Sequence, residues 1–181
     1  MNCQLQIVQN KLKELQVSGT GILKVQDIPF DASLRQSCEM NTCGCYGKNW
    51  ACPPLVGKIE DLITEAKQYE IAVVFQNIYS LEDSFDIEGM NAAKKEHEQQ
   101  TLTFRKWANQ NLKQFLLLGA GGCQICKECT AVQKNPCRHP EWKTVSLEAY
   151  GVFVSELASR CGLNYINGAN TVTYFSMLLL P

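Results

Sequence analysis

Apolar residues recur with a helical period at the start of the chain. Each lies three or four residues after the one before it, which places all of them on one face of a helix. They are Leu5, Val8, Leu12 and Leu15. Gly19 and Gly21 predict that this helix ends before them, and residues 22–25 predict a short strand.

The middle of the chain alternates between short apolar segments and longer amphipathic ones. Residues 58–67 predict a helix, and the uninterrupted apolar run 71–75 is typical of a buried strand. Residues 87–117 predict a long helix, which the glycine-rich segment 119–122 ends. Because the first half of this helix is strongly polar, we expect His97 within it to be solvated.

Two further elements follow towards the end of the chain. Ser146 is a good N-cap for a helix over residues 147–161, with Gly162 as its C-terminal stop. Residues 172–180 predict a final apolar strand. The order of elements predicts an α/β or α+β fold, in which helices cover a small sheet and two cysteine-rich loops are inserted. No repeat or linker interrupts the pattern, so we expect one metal-binding domain over residues 1–181.

Cysteine is the unusual feature of the composition. The chain has 181 residues with 10 cysteines and only two histidines. Its net charge of −1 gives no reason to expect binding to nucleic acid or to an anionic membrane. The N-terminus does not resemble a secretory signal, and no apolar run reaches the roughly 18–20 residues of a membrane span. We therefore expect a cytoplasmic protein, in which clustered cysteines act as metal ligands or redox groups.

The second half of the chain carries the clearer group of cysteines, which we call the second cysteine loop (residues 123–137). Its spacing is C-x2-C-x2-C-x7-C, formed by Cys123, Cys126, Cys129 and Cys137. Such a run can place three thiolates around one iron–sulfur cubane, and the later cysteine then closes the fourth corner. Gly121 and Gly122 are expected to let the backbone pass close to the inorganic core.

The first half contains a less regular group, the first cysteine loop (residues 38–54). Its spacing is C-x4-C-x-C-x6-C, formed by Cys38, Cys43, Cys45 and Cys52. Pro53 and Pro54 follow directly, and a cysteine followed by proline is also typical of ferredoxin cluster loops. Gly44 and Gly47 are expected to thin the backbone around the ligands. Each loop supplies four thiols within 15 residues, so we expect one centre in each.

The cysteine pattern has two alternative interpretations. Zinc is the main alternative, although structural zinc usually takes two C-x2-4-C pairs that are further apart. Disulfides are the other, and ligands could also be shared between the two loops. Cys161 continues an apolar helical face and is expected in the core, while a ligand role for Cys3 is not expected.

Both motifs resemble a known family. The first reads Cys38-x4-Cys43-Gly-Cys45-Tyr-Gly-Lys-Asn-Trp50-Ala-Cys52-Pro-Pro, and the second reads Gly122-Cys123-x2-Cys126-x2-Cys129-x7-Cys137. With Ser146-Leu-Glu-Ala-Tyr-Gly151 and Asn170-Thr-Val-Thr-Tyr174, they resemble the "predicted metal-binding protein" family (DUF2284), a domain family of unknown function. The resemblance extends from about Cys38 onward. It implies metal binding at the eight cysteines and does not supply a reaction.

The leading hypothesis is a protein with two iron–sulfur clusters of the [4Fe–4S] type, acting in electron transfer or as an electron-delivering accessory protein. It implies a redox partner protein. A zinc-binding structural or interaction module is the first alternative, and an iron–sulfur enzyme with an open cluster site is the second. No catalytic residue is predicted, because the chain lacks a nucleophile elbow, a phosphate loop and a dinucleotide fingerprint.

Several residues near the cysteines have two possible roles. Trp50 either shields a cluster or only anchors its loop, and His139 either contributes to the second site or is an ordinary loop residue. The basic residues near the loops would stabilise an anionic cluster and steer an acidic partner, or they are ordinary surface charge. They are Lys48, Lys127, Lys134, Arg138 and Lys143.

Overall fold

The computed structural model describes residues 3–181, and it confirms the predicted fold class. A single five-stranded sheet is covered by helices on both faces, so the architecture is α+β. The helices are α1 Cys3–Glu14, α2 Leu34–Glu39, α3 Ile59–Ala66, α4 Ile87–Asn111 and α5 Val154–Arg160. The strands are β1 Gly19–Lys24, β2 Ile71–Ser80, β3 Leu116–Gly119, β4 Val145–Ser146 and β5 Thr171–Leu180. That the chain forms one domain stays a prediction.

The sheet is built around its two longest strands. The strand order is β1-β2-β5-β3-β4, and every neighbouring pair is antiparallel except β3 and β4. Strands β2 and β5 pair along their whole length, from Ile71 opposite Leu180 to Ser80 opposite Thr171. The second cysteine loop therefore leaves the sheet at the end of β3 and returns to it at β4, beside its own point of departure.

The residues of β2 alternate between two apolar layers, as a strand buried on both faces requires. Val73 and Phe75 pack with α1 and α4, where Phe104 is fully buried. Ala72 and Val74 lie on the opposite face, in the layer that contains residues of α3 and α5. This second layer also takes in part of the first cysteine loop, because Ala51 is fully buried in it.

Four sequence predictions differ from the structure in detail. The long helix ends at Asn111 rather than at residue 117. The apolar run that follows forms β3, because a strand covered on both faces of a sheet can bury every one of its apolar side chains. The predicted helix over residues 147–161 is split into a 3₁₀ turn, Glu148–Tyr150, and α5, because Gly151 adopts a positive φ of 71°.

The other two differences concern the first strand and His97. Strand β1 begins at Gly19 rather than at residue 22, so Gly21 lies within it; a β-carbon at Gly21 would lie 2.4 Å from the Cβ of Cys161. Cys161 packs against the core as predicted. The expectation that His97 is solvated is wrong, because its side chain is fully buried between α4 and the sheet. Within residues 3–181, no helix is both long and apolar enough to cross a membrane.

Candidate metal centres

The first cysteine loop connects α2 to α3 and folds so that its four thiols are neighbours. Cys38 lies in the last turn of α2, and Cys43, Cys45 and Cys52 follow in turns. The Cys45 thiol interacts with the thiols of Cys43 and Cys52. All three of the other cysteines in this loop raise the pKa of Cys52. The four cysteines of the first motif thus lie close enough for their charges to interact.

The second cysteine loop folds around a small cavity. All four of its cysteines line this cavity together with Asn49 and Trp50 of the first loop, and His139 and Arg138 also reach it. The backbone N–H groups of Ile125 and Thr144 act to lower the pKa of the Cys123 thiol, although burial outweighs them. Backbone N–H donors of this kind stabilise thiolates and tune the potential of an iron–sulfur cluster.

The two cysteine loops are in direct contact, although 74 positions separate Asn49 from Cys123. The Asn49 side-chain amide donates a hydrogen bond of 2.8 Å to the Cys123 carbonyl, and its oxygen accepts one from the Ala51 backbone. The Trp50 indole donates a hydrogen bond of 2.9 Å to the Asn135 carbonyl. Trp50 thus anchors the first loop to the second.

Gly122, directly before the second cysteine loop, lies close to two thiols of the first loop. A β-carbon at this position would lie 3.1 Å from the Cys52 sulfur and 3.3 Å from the Cys45 sulfur. A side chain here would therefore press against two thiols of the other loop. At Gly44 and Gly47 an added β-carbon would meet no protein atom within 4 Å, and both residues have a positive φ that favours glycine in a turn. Their expected place beside a metal centre stays a prediction.

The surrounding fold joins the two loops through the 3₁₀ turn Glu148–Tyr150, which follows the second loop and contacts both α2 and α3. The guanidinium of Arg35 on α2 donates hydrogen bonds to the carbonyls of Ala149 and Gly57, at 3.3 Å and 3.0 Å. It thereby links the beginning and the end of the first loop to the segment after the second.

Burial is the main influence on the thiols. It raises the pKa of Cys52 to about 12, and the neighbouring cysteines add to the shift because each negative charge disfavours the next. Burial likewise raises the pKa values of Cys38, Cys45 and Cys123, while Arg35 opposes the shift at Cys38 and Lys94 opposes it at Cys45. Metal-free thiols in such a group are held as neutral S–H groups, and bound metal would displace their protons.

All ten cysteines are free thiols, so the structure does not support the alternative that they form disulfides. Across residues 3–181, no three Cys, His, Asp or Glu side chains are already arranged to hold a metal ion. The cavity of the second loop measures only about 20 Å³. The residues fit a thiolate-ligated centre by their chemistry and their grouping, and holding one requires the side chains to turn towards a common point.

Sequence reasoning missed three residues that shape these loops, because each comes from a distant part of the fold or is an ordinary polar residue. They are Asn49, Lys94 and Arg105. Arg105 on α4 donates hydrogen bonds to Leu117 and Thr144, and burial lowers its pKa to about 10 while nearby Cys123 opposes that change.

An α+β sheet that carries two adjoining four-cysteine loops defines the class of this protein as a cysteine-rich candidate metal binder. The family described as "Predicted metal-binding protein (DUF2284)" matches residues 21–180, and the chain belongs to it. The predicted family membership is therefore confirmed. No curated protein and no solved structure matches the chain.

Proposed function

We propose that the protein transfers electrons through two iron–sulfur clusters of the [4Fe–4S] type, one in each cysteine loop. The ligands would be Cys38, Cys43, Cys45 and Cys52 for one cluster and Cys123, Cys126, Cys129 and Cys137 for the other. The observation that supports this proposal is the contact of the two loops at Gly122. Electrons pass between centres only over short distances, and a glycine that separates two groups of four thiols keeps that distance small.

The donor set also favours clusters over a structural zinc site. Zinc takes four ligands in a tetrahedron, commonly as two knuckles of paired cysteines. The C-x2-C-x2-C run in the second loop instead resembles the ligand run of a cubane, and the backbone N–H groups of Ile125 and Thr144 favour the charged form of Cys123, as donors near a cluster sulfur would. When bound, the clusters would supply reversible one-electron chemistry, while the chain's own residues orient the thiols and limit the access of water.

The surface around the loops favours an acidic redox partner. Residues 32–58 contain Arg35, Lys48 and Lys58 against Glu39, and residues 123–144 also contain two more basic than acidic residues. The whole chain nevertheless carries a net charge of −1, so the remainder is clearly acidic. Among these basic residues, Lys48, Lys127, Lys134 and Arg138 are exposed and can steer a partner of opposite charge.

Metal and sulfide analysis after purification without oxygen tests the clusters directly. We expect about eight iron and eight acid-labile sulfide per chain, and a brown colour that dithionite bleaches. Cys126→Ser and Cys45→Ser should each lose about half of the iron, because each removes a ligand of one cluster only. Cys3→Ser is the matched control, since Cys3 is exposed on α1, and it should keep the full content. Colourless protein with stoichiometric zinc would reject the proposal in favour of a structural module.

A further inference from the structure

Arg105 on α4 links the two strands between which the second cysteine loop is inserted. Its guanidinium donates a hydrogen bond of 2.8 Å to the Leu117 carbonyl in β3. Its Nε donates a second one, of 3.2 Å, to the hydroxyl of Thr144, the residue directly before β4. Two of the donors of Arg105 are therefore fixed at the base of this loop.

The positive charge of Arg105 has no carboxylate partner. Within residues 3–181, the side-chain ion pairs involve Lys11, Lys94 and Arg160, and none involves Arg105. Both of its hydrogen-bond acceptors are neutral oxygens, although its side chain is half-buried. A charge that is partly removed from water is favoured by an opposite charge close to it, so the position of Arg105 calls for an anion.

Cys123 is the group that can supply this negative charge. Among the described residues, Cys123 and Tyr150 are the ones whose negative charge favours the charged guanidinium. Burial raises the pKa of the Tyr150 phenol, and its hydroxyl donates a hydrogen bond to Glu65, so Tyr150 stays neutral. Cys123 lines the same cavity as Thr144, whose hydroxyl accepts from Arg105 and whose backbone N–H acts on the Cys123 thiol. One residue thus connects the guanidinium to a ligand of the proposed second cluster.

The charge of a bound centre decides what a neighbouring cation does. A metal-bound cysteine is a thiolate, and one-electron reduction adds a further negative charge to a cluster that thiolates hold. A fixed positive charge nearby stabilises the reduced form more than the oxidised form, so it raises the reduction potential.

We propose that Arg105 is the counter-ion of the centre in the second cysteine loop and raises its reduction potential. The inference rests on the proposed iron–sulfur clusters. Arg105 is not a ligand; it acts through its charge and through Thr144, which it holds beside Cys123.

Redox titration of the iron-loaded full chain, followed by electron paramagnetic resonance, tests this role. Arg105→Gln keeps hydrogen-bond donors and loses the charge. It should lower one of the two midpoint potentials by about 59 mV, a tenfold change in the equilibrium of one-electron reduction. The other potential should stay unchanged, because Arg35 and Lys94 are the cations that act on the first loop. Arg105→Lys keeps the charge and should have both potentials of the wild type.

Two further proteins assign the shift to the second loop. Cys126→Ser removes a ligand of the second cluster and keeps the first, so adding Arg105→Gln to it should leave the remaining potential unchanged. Lys13→Gln is the charge-matched control, since it removes one positive charge from exposed α1, and it should have both wild-type potentials.

Circular dichroism and iron content establish that each variant is folded and loaded. Unchanged potentials in iron-loaded Arg105→Gln would overturn the inference, and so would an equal fall in Arg105→Lys. If Arg105→Gln loses the second cluster, full iron content in Arg105→Lys supports the role of the charge, and loss in both variants overturns it. Wild-type protein without iron would overturn the proposed clusters as well, so the two failures are distinguishable.

Discussion

His97 illustrates how a single polar residue is accommodated inside the apolar layer between α4 and the sheet. One ring nitrogen lies 2.9 Å from the Asn77 amide nitrogen, and the other lies 2.9 Å from the Ser176 hydroxyl. Because the amide can only donate, the ring nitrogen facing Asn77 accepts, and the other nitrogen donates to Ser176. Burial holds this ring neutral and lowers its pKa from 6.5 to about 4.

This arrangement predicts an acid-sensitive stability. Below pH 6.5 the unfolded chain binds a proton at His97 while the folded chain does not, so the free energy of unfolding falls as the pH is lowered towards 4. The contribution amounts to about 3 kcal/mol over the whole window. Urea unfolding of the wild-type protein and of His97→Asn at several pH values checks it. We expect the wild type to lose stability relative to the variant on acidification, and a constant difference between them would contradict the assignment.

At the scale of elements, the contact between the two cysteine loops depends on a few polar groups. Asn49→Ala should lower the free energy of unfolding by about 1–3 kcal/mol, because it leaves the Cys123 carbonyl without its 2.8 Å partner. Trp50→Phe removes a more exposed bond and should cost less. Hydrogen exchange of residues 123–137 should become faster in both variants, since the second loop loses contacts with the first.

Asn91→Ala is the control for these loop variants, because Asn91 is exposed on α4. It should leave both the unfolding midpoint and the exchange of residues 123–137 unchanged. If Asn49→Ala behaves like Asn91→Ala in both measurements, the hydrogen bond to Cys123 does not hold the loops together.

Elements with a strong local pattern could be predicted from the sequence, and those defined by distant neighbours could not. The final strand and α3 were found because their apolar residues leave little choice of structure. Strand β3 was assigned to the preceding helix, because an apolar run of four residues has no period that separates the two states. The cysteine motifs gave the members of each thiol group, but the contact between the groups depends on Asn49 and Gly122, which no local pattern distinguishes.

On the scale of the whole molecule, the segments that contain the cysteine loops carry a net positive charge, while the rest of the chain carries a net negative charge. The face of the sheet covered by α1 and α4 is opposite the one that carries the first loop. If electrons enter through the loops, an acidic donor protein would approach this basic side, and its association would weaken as salt screens the charges.

Reduction kinetics with an acidic ferredoxin as electron donor test this orientation. The rate at low protein concentration should fall several-fold between about 20 mM and 300 mM salt, because the Debye length becomes short. The double variant Lys127→Glu and Lys134→Glu should be slower at low salt and less sensitive to added salt. Lys13→Glu changes the charge on exposed α1 and should behave like the wild type. A rate that is independent of salt in all three proteins would exclude electrostatic docking at the loops.

The missing side chain of Gly122 also bears on the sequence of events during maturation. The thiols of Cys45 and Cys52 are covered on one side by Gly122, which is synthesised about 70 positions later. A nascent chain that has emerged only as far as α3 would present these sulfurs uncovered, open to oxidation or to stray metal. If the first loop binds metal as proposed, that metal would be shielded only after the sheet has closed, when the second half of the polypeptide is in place.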